Sequence, residues 1–253
     1  MRVAVAGGTG QVGRPTIAAL KLKGHDAIGL SRSAGVDLMT SDGLAAALEG
    51  VDCVVDVTNT TATERADTET FFGTISAALL DAEQRAGVGH HLTLSIAGVD
   101  RIEGNGHYFG KRRQEQVVRD GPVPWTIQRA AQFFEFAGMV VGWTLHNGTA
   151  VVPPLLMQPV AAADVGMVLA ELAVGPPLGM APDLVGPKQE DLVDMARRTL
   201  TTRGDTTRLM PSWRGAPIGI EAAGEALLPG EGARVAQTTF DAWLFGAPGP
   251  QPW

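Results

Sequence analysis

At 253 residues, 45% of them hydrophobic, the chain is long enough for one large domain or a domain with a small lobe, and too apolar for disorder. A formal net charge of −7 excludes nucleic acid as a main partner, because neutralising phosphates needs a basic face. Cys53 is the single cysteine, which excludes a disulfide framework and a cysteine-based metal site.

Short β-branched runs alternate with longer helical patterns through the first half, the order of βαβ units around a parallel sheet covered on both faces. Arg2–Ala6 reads as the first strand and Gln11–Leu22 as a helix closed by Gly24. Asp26–Leu30 is the second strand, with Val36–Asp37 as a short third one. Leu44–Leu48 is a brief helix stopped by Gly50, followed by a strand over Cys53–Val57. Asp67–Ala86 is a long helix with Phe71, Ile75, Leu79 and Ala86 near one stripe. His91–Ser95 and Trp125–Arg129 are strands on either side of a helix over Tyr108–Asp120. Beyond Phe136 prolines and glycines multiply, and short helices such as Ala162–Val174 and Gln189–Leu200 alternate with loops. Residues 1–136 are expected to form the core, and 137–253 the tail of the sheet plus a small lobe closing over a cleft, in one structural unit. The start MRVAVAGGTG reaches glycine too early for a signal-peptide apolar region, and no uncharged run approaches a membrane span. A soluble cytoplasmic protein without a membrane partner is expected, and sixteen arginines against four lysines hint at a GC-rich bacterial genome.

The strand RVAVA runs straight into Gly7-Gly8-Thr9-Gly10-Gln11-Val12-Gly13 and then a helix. Gly7 allows a tight turn, Gly10 lets the backbone approach a pyrophosphate, and Gly13 lets helix and strand pack closely. Free amide groups and the helix dipole then stabilise a diphosphate. In this context, between an N-terminal strand and a helix, the glycine spacing points to a pyridine dinucleotide. The second strand ends in Gly29-Leu30-Ser31-Arg32-Ser33, without the carboxylate that would take the 2′-hydroxyl of NAD. Arg32 can pair with a 2′-phosphate and Ser31 and Ser33 can donate to it, so NADP(H) is favoured, with NAD(H) as the alternative.

GGTGQVG, LSRS, LSIAGVDR, HYFGKRRQEQVVRDGPVPWTIQRAAQFFEF and QPVAAADVGMVLAELA together resemble the NmrA-like atypical short-chain dehydrogenase/reductases. The resemblance spans nearly the whole chain and is weakest after about Leu200. It implies an α/β Rossmann fold, a doubly wound parallel sheet with helices on both faces, and a substrate pocket built by the C-terminal half. It further implies Gly7, Gly10 and Gly13 at the diphosphate, with Thr9, Gln11 and Val12 in the same turn. Ser31 and Arg32 would lie at the adenosine ribose, Asp37 and Leu38 near the adenine, Thr58 and Asn59 beside the dinucleotide, and Ser95 and Lys111 near the nicotinamide ribose.

The wider superfamily carries Tyr-x-x-x-Lys, in which tyrosine donates a proton to the carbonyl being reduced. Here the chain reads His107-Tyr108-Phe109-Gly110-Lys111. On a helix both His107 and Tyr108 can reach Lys111. Three readings stay open: His107 as the acid, Tyr108 as the acid, or a proton taken from water. His90-His91 is rejected as a metal site, because adjacent strand residues face opposite ways. Lys111-Arg112-Arg113 reads as a solvated helix face. Gln132, Phe133 and Phe136 are expected to line an apolar substrate pocket, with Met157, Met210 and Trp213 as further members or as core. The leading expectation is an NADP(H)-dependent oxidoreductase acting on a quinone or an aromatic polyketide-like small molecule. A non-catalytic NAD(P)-sensing regulator and a secondary-metabolism tailoring enzyme (oxygenation or isomerisation) are the alternatives. A homodimer is compatible with each.

Overall fold

Strands covered on both faces read as unbroken apolar runs, and the first strands of this chain do so. In the computed structural model, which describes residues 1–246, Val3–Ala6 of β1 (Arg2–Ala6) are all fully buried. Residues 247–253, the end of the expected lobe, lie outside the described residues. After β1 come α1 (Gly13–Leu22), β2 (Asp26–Leu30), α2 (Leu44–Ala47), β3 (Cys53–Asp56), α3 (Arg65–Ala86), β4 (His90–Ile96), α4 (Gly106–Asp120) and β5 (Trp125–Ala130). The second half adds α5 (Phe136–Thr144), β6 (Thr149–Val152), β7 (Leu156–Met157), α6 (Ala162–Ala173), β8 (Gly179–Met180), β9 (Leu184–Val185) and β10 (Glu190–Asp191). It ends with α7 (Leu192–Arg203), β11 (Arg208–Pro211), β12 (Arg234–Val235) and α8 (Phe240–Gly246).

The main sheet runs β12–β9–β5–β4–β3–β1–β2 with β8 alongside β5, and its pairings are parallel. Strand order reverses beside β1, because α1 carries the chain to β2 on one side and the return to β3 passes to the other. This switch point is where an open α/β sheet has its ligand crevice. One face is covered by α1 and α6, whose apolar residues share a core with Val3, Val5, Leu92 and Leu94. Gly166 makes that packing close: a Cβ there would sit 2.8 Å from the Thr16 nitrogen. The other face is covered by α2, α3 and α4. The lobe joins α5, α7 and α8 with the two short sheets β11–β6 and β10–β7 around Tyr108, Phe134, Met157 and Phe240.

The expected short strand at Val36–Asp37 does not form. The chain leaves β2 through a single 3-10 turn, Arg32–Ala34, and the Val36 and Asp37 amides close local turns onto Ser31 and Asp42. Val36 is apolar because it is buried under the sheet edge, not because it pairs with a neighbour. The helix expected from Gln189 begins at Leu192 instead, since Glu190 and Asp191 first pair with Met157 and Leu156. Asp191 then caps the helix by accepting from the Asp194 amide at 3.0 Å.

A buried ion pair ties α4 to β5. Arg129 donates to both carboxylate oxygens of Glu115, Nε at 2.8 Å and Nη2 at 2.7 Å, and Glu115 is 1% exposed. Removing one member strands a buried charge. Arg129→Met should therefore lower the free energy of unfolding by roughly 3 kcal/mol in urea titration. The half-exposed Arg119, which also reaches Glu115, is too solvated to replace it; an unchanged midpoint would contradict this.

Candidate dinucleotide site

The segments after β1, β2 and β3 meet without room for a methyl group. Gly7 has φ +78°, the left-handed region that glycine enters cheaply, and a Cβ on it would lie 2.8 Å from the Val57 carbonyl oxygen. A Cβ on Gly8 would meet the Gly29 Cα at 2.8 Å, and one on Gly13 the Gly7 oxygen at 2.3 Å. Gly10 is different: it is exposed, and a Cβ there would approach only the Gly7 oxygen. The amides of Gln11, Val12 and Gly13 have no acceptor among the described residues, and Val12 caps α1 without a side-chain bond. This leaves a helix N-terminus with free donors and no first-turn acid, a fitting cradle for a diphosphate. Because Gln11 and Val12 remain in the turn, α1 starts two residues later than the pattern predicts. Arg14, which the sequence pattern did not single out, folds its Nε back onto the Thr9 oxygen at 2.7 Å and adds a cation beside the turn.

At the end of β2, the Ser31 and Ser33 hydroxyls lie 3.0 Å apart, and Arg32 is exposed with no acid partner among the described residues. Asp37 accepts from the Met39 amide, and Leu38 packs partly onto the α2–α3 core. At the end of β3, Thr58 donates both its amide (2.9 Å) and its hydroxyl (2.7 Å) to Asp56 Oδ1, while Asn59 is exposed.

Helix α4 is capped by Asn105, whose side chain accepts from the Tyr108 amide, and His107 and Tyr108 both lie in its first turn. Gly110 lets α4 close on α3; a Cβ there would be 2.7 Å from Phe72. Lys111 is consequently buried. Its ammonium donates to the Leu94 oxygen at 2.5 Å and to Gln114 Oε1, and lies over the Phe72 ring. Burial pushes its pKa down to about 8, opposed by Asp56 and Glu115. Arg112 donates to the Val99 and Ile102 oxygens and stacks on Phe109. The expected solvated face therefore holds only for Arg113: the helix turns Lys111 and Arg112 toward α3 and the loop after β4. His107 meets Phe72 edge-on and has its pKa pushed down to about 4 by burial and by Lys111, so it is neutral at pH 7. Tyr108 points into the lobe core, where Gln132 Nε2 donates to its hydroxyl at 3.1 Å and burial raises its pKa to about 12.

Among the described residues Ser95 Oγ, Gln132 Oε1 and Glu135 Oε2 are buried without a partner, all at or just past the C-terminal ends of β4 and β5. Such orphans are costly; Ser76 Oγ and His90 Nδ1 share that state elsewhere among the described residues, so it is their place at the crevice that makes these three candidates for a ligand's bonds. Glu135 escaped the sequence reading. Burial raises its carboxyl pKa, and Gln11 of the glycine turn is one of its hydrogen-bond partners. An acid inside the apolar string FFEF was the available signal. Phe133 packs partly on the α1–α6 core that includes Val12, and Phe136 on the lobe core and on Trp143. Met157 is core, Trp213 packs partly against it, and Met210 is exposed. His90 bonds Thr126 while His91 bonds Glu83 and Thr93, so the two rings diverge. Two open concavities of about 290 and 180 Å³ lie in the lobe, between α5, α7 and β11. They contain none of the turn residues, so the candidate dinucleotide site rests on the free amides and not on these concavities.

The Lys111 shift has a stability consequence. Its folded pKa of about 8 lies below the ordinary 10.5, so between these values the unfolded chain holds more protons. Stability should rise with pH across that window by more in the parent than in Lys111→Met, as denaturant midpoints at pH 7.5 and 10 would read. Parallel curves would contradict a strained, buried ammonium.

The model of the NAD(P)H-binding family matches residues 7–174 of this chain. No curated protein matches it. Solved structures of similar fold include a triphenylmethane reductase from Citrobacter sp., at 19% identity over 84% of this chain and 79% of that one, TM-score 0.63. Another is the Escherichia coli NADPH-dependent quinone oxidoreductase QOR2 complexed with NADPH, at 17% identity over 83% and 78%, TM-score 0.65. A third is a dTDP-4-dehydrorhamnose reductase ortholog from Clostridium acetobutylicum, at 15% identity over 84% of each chain, TM-score 0.67. At such identities the likeness is one of fold. Glycine turn, switch point and family match agree: this chain belongs to the NAD(P)H-binding family and has its Rossmann fold.

Proposed function

We propose that the protein is an NADP(H)-dependent oxidoreductase that reduces a flat, apolar, oxygenated small molecule of the quinone class. One observation carries the reading: free amides open at the start of α1, while neither His107 nor Tyr108 is presented as an acid. His107 is neutral and packed on Phe72, and Tyr108 is sunk in the lobe core. Ketone reduction leans on a positioned acid, whereas the oxygens of a hydroquinone take protons readily from water. The names of two structural neighbours, a quinone oxidoreductase and a dye reductase, lie in the same direction.

The amides of Gln11, Val12 and Gly13 would hold the diphosphate, close against Gly10 and with Thr9 beside them. Arg32, between Ser31 and Ser33, would take the 2′-phosphate, with Asp37 and Leu38 toward the adenine. Thr58, Asn59 and Ser95 would line the path to the nicotinamide. When bound, the nicotinamide supplies the hydride. Gln132, Phe133 and Phe136 would orient the acceptor over it and keep the pocket apolar. Protons come from solvent.

Arg32→Ala should raise the NADPH dissociation constant by roughly 10- to 100-fold, the loss of one charge-assisted contact, and leave NADH unchanged in fluorescence titration. Equal losses for both nucleotides would contradict the 2′-phosphate assignment. The function itself is tested by NADPH consumption across quinones and simple ketones. Quinone turnover that survives Tyr108→Phe is expected; ketone turnover that vanishes in this variant would overturn the solvent-proton route. The missing acid also suits a nucleotide sensor without turnover, which absence of hydride transfer to every acceptor would favour.

A further inference from the structure

Three buried acids lie on the α3–α4 side of the sheet, and each has a basic partner. Glu83 bonds His91, Glu115 bonds Arg129, and Asp56 is linked to Lys111. Only the last pair is separated by a neutral group. Gln114 accepts from the Lys111 ammonium and donates through Nε2 to Asp56 Oδ2 at 2.8 Å. Asp56 Oδ1 in turn holds Thr58 by two bonds. Thr58 is pressed on the glycine turn, its Cα 3.2 Å from where a Gly7 Cβ would stand. One unbroken chain of polar contacts thus runs from the ammonium to the wall of the crevice.

We propose that Lys111 is a positioning residue, which acts on the nucleotide through Gln114 and Asp56 by fixing Thr58 against the glycine turn. The proposal rests on the reading that this crevice takes NADP(H). Its physical basis is the economy of the buried groups. Asp56 is 0% exposed and must be compensated where it lies, and the Lys111 ammonium is committed to Leu94 and Gln114. With Lys111 replaced by Met, the Gln114 carboxamide loses the donor that orients it, and its Nε2 no longer holds Asp56 in register. Thr58 then has a partner free to rotate, and the β3 side of the crevice loosens.

A double-mutant cycle distinguishes this route from a direct ribose contact. NADPH dissociation constants are measured for the full chain, Lys111→Met, Asp56→Asn and the double variant. Each single change is expected to weaken binding about tenfold, and the double variant to be no weaker than either, because both cut the same chain. Hydrogen exchange of the Thr58 amide should also quicken in Lys111→Met, a readout that a lysine touching only the nucleotide would leave unchanged. If Asp56→Asn does not fold, Gln114→Leu takes its place in the cycle. Losses that multiply to about a hundredfold, or an unaltered Thr58 amide, overturn the proposal while leaving the cofactor reading intact. A parent protein that binds no NADPH overturns both.

Discussion

Four backbone segments converge at the C-terminal end of β1 at distances that exclude even a single methyl group. Gly7 lies against Val57, Gly8 against Gly29, and Gly13 against Gly7 itself. Such contact fixes the turn by volume alone, since a side chain at any of these places would push apart the ends of β1, β2 and β3. It also determines what is left over. The chain must reverse before α1 can start, so the Gln11, Val12 and Gly13 amides emerge together at the start of the helix without acceptors among the described residues. The candidate anion site is thus a by-product of how the strands are packed, and the strand-order reversal beside β1 supplies the crevice in which it opens.

The two faces of the sheet do different work. In β4, Leu92 and Leu94 join the apolar core with α1 and α6, while His91 turns the other way to Glu83 on α3. By the period of two, Thr93 and Ser95 follow His91. A polar stripe therefore runs along the inside of the sheet toward its C-terminal edge, joined there by Asp56 of β3 and Gln114 and Lys111 of α4. His91 and Thr93 are satisfied within it; Ser95, at the crevice end, is not. A buried hydroxyl without a partner costs on the order of 1–3 kcal/mol, which is tolerable where a ligand regularly supplies the bond.

Much of the fold was legible because the determining features are local. RVAVA, the glycine turn and the following helix lie within 22 residues, and the β-branched runs of β3 and β4 announce buried strands. Val36–Asp37 misled because burial and strand pairing leave the same apolar signature, and only the hydrogen-bond partner separates them. The candidate site was legible where it is built from backbone and illegible where it depends on direction. Lys111 could be named from its spacing to His107 and Tyr108, yet nothing in that spacing says that Gly110 draws the helix onto Phe72 and buries the ammonium. Arg112 was misread for the same reason: the helix periodicity cannot see the Val99 and Ile102 carbonyls. Glu135 reaches the turn through Gln11, 124 positions away, a contact created only by folding.

A pyridine dinucleotide resting on the free amides at the start of α1 would be seen directly in their amide resonances. Titrating NADP⁺ into ¹⁵N-labelled protein should shift the Gln11, Val12 and Gly13 N–H signals in proportion to saturation and slow their hydrogen exchange. Saturable binding that leaves these three signals in place, or no saturation at all, would mean that the nucleotide does not rest there.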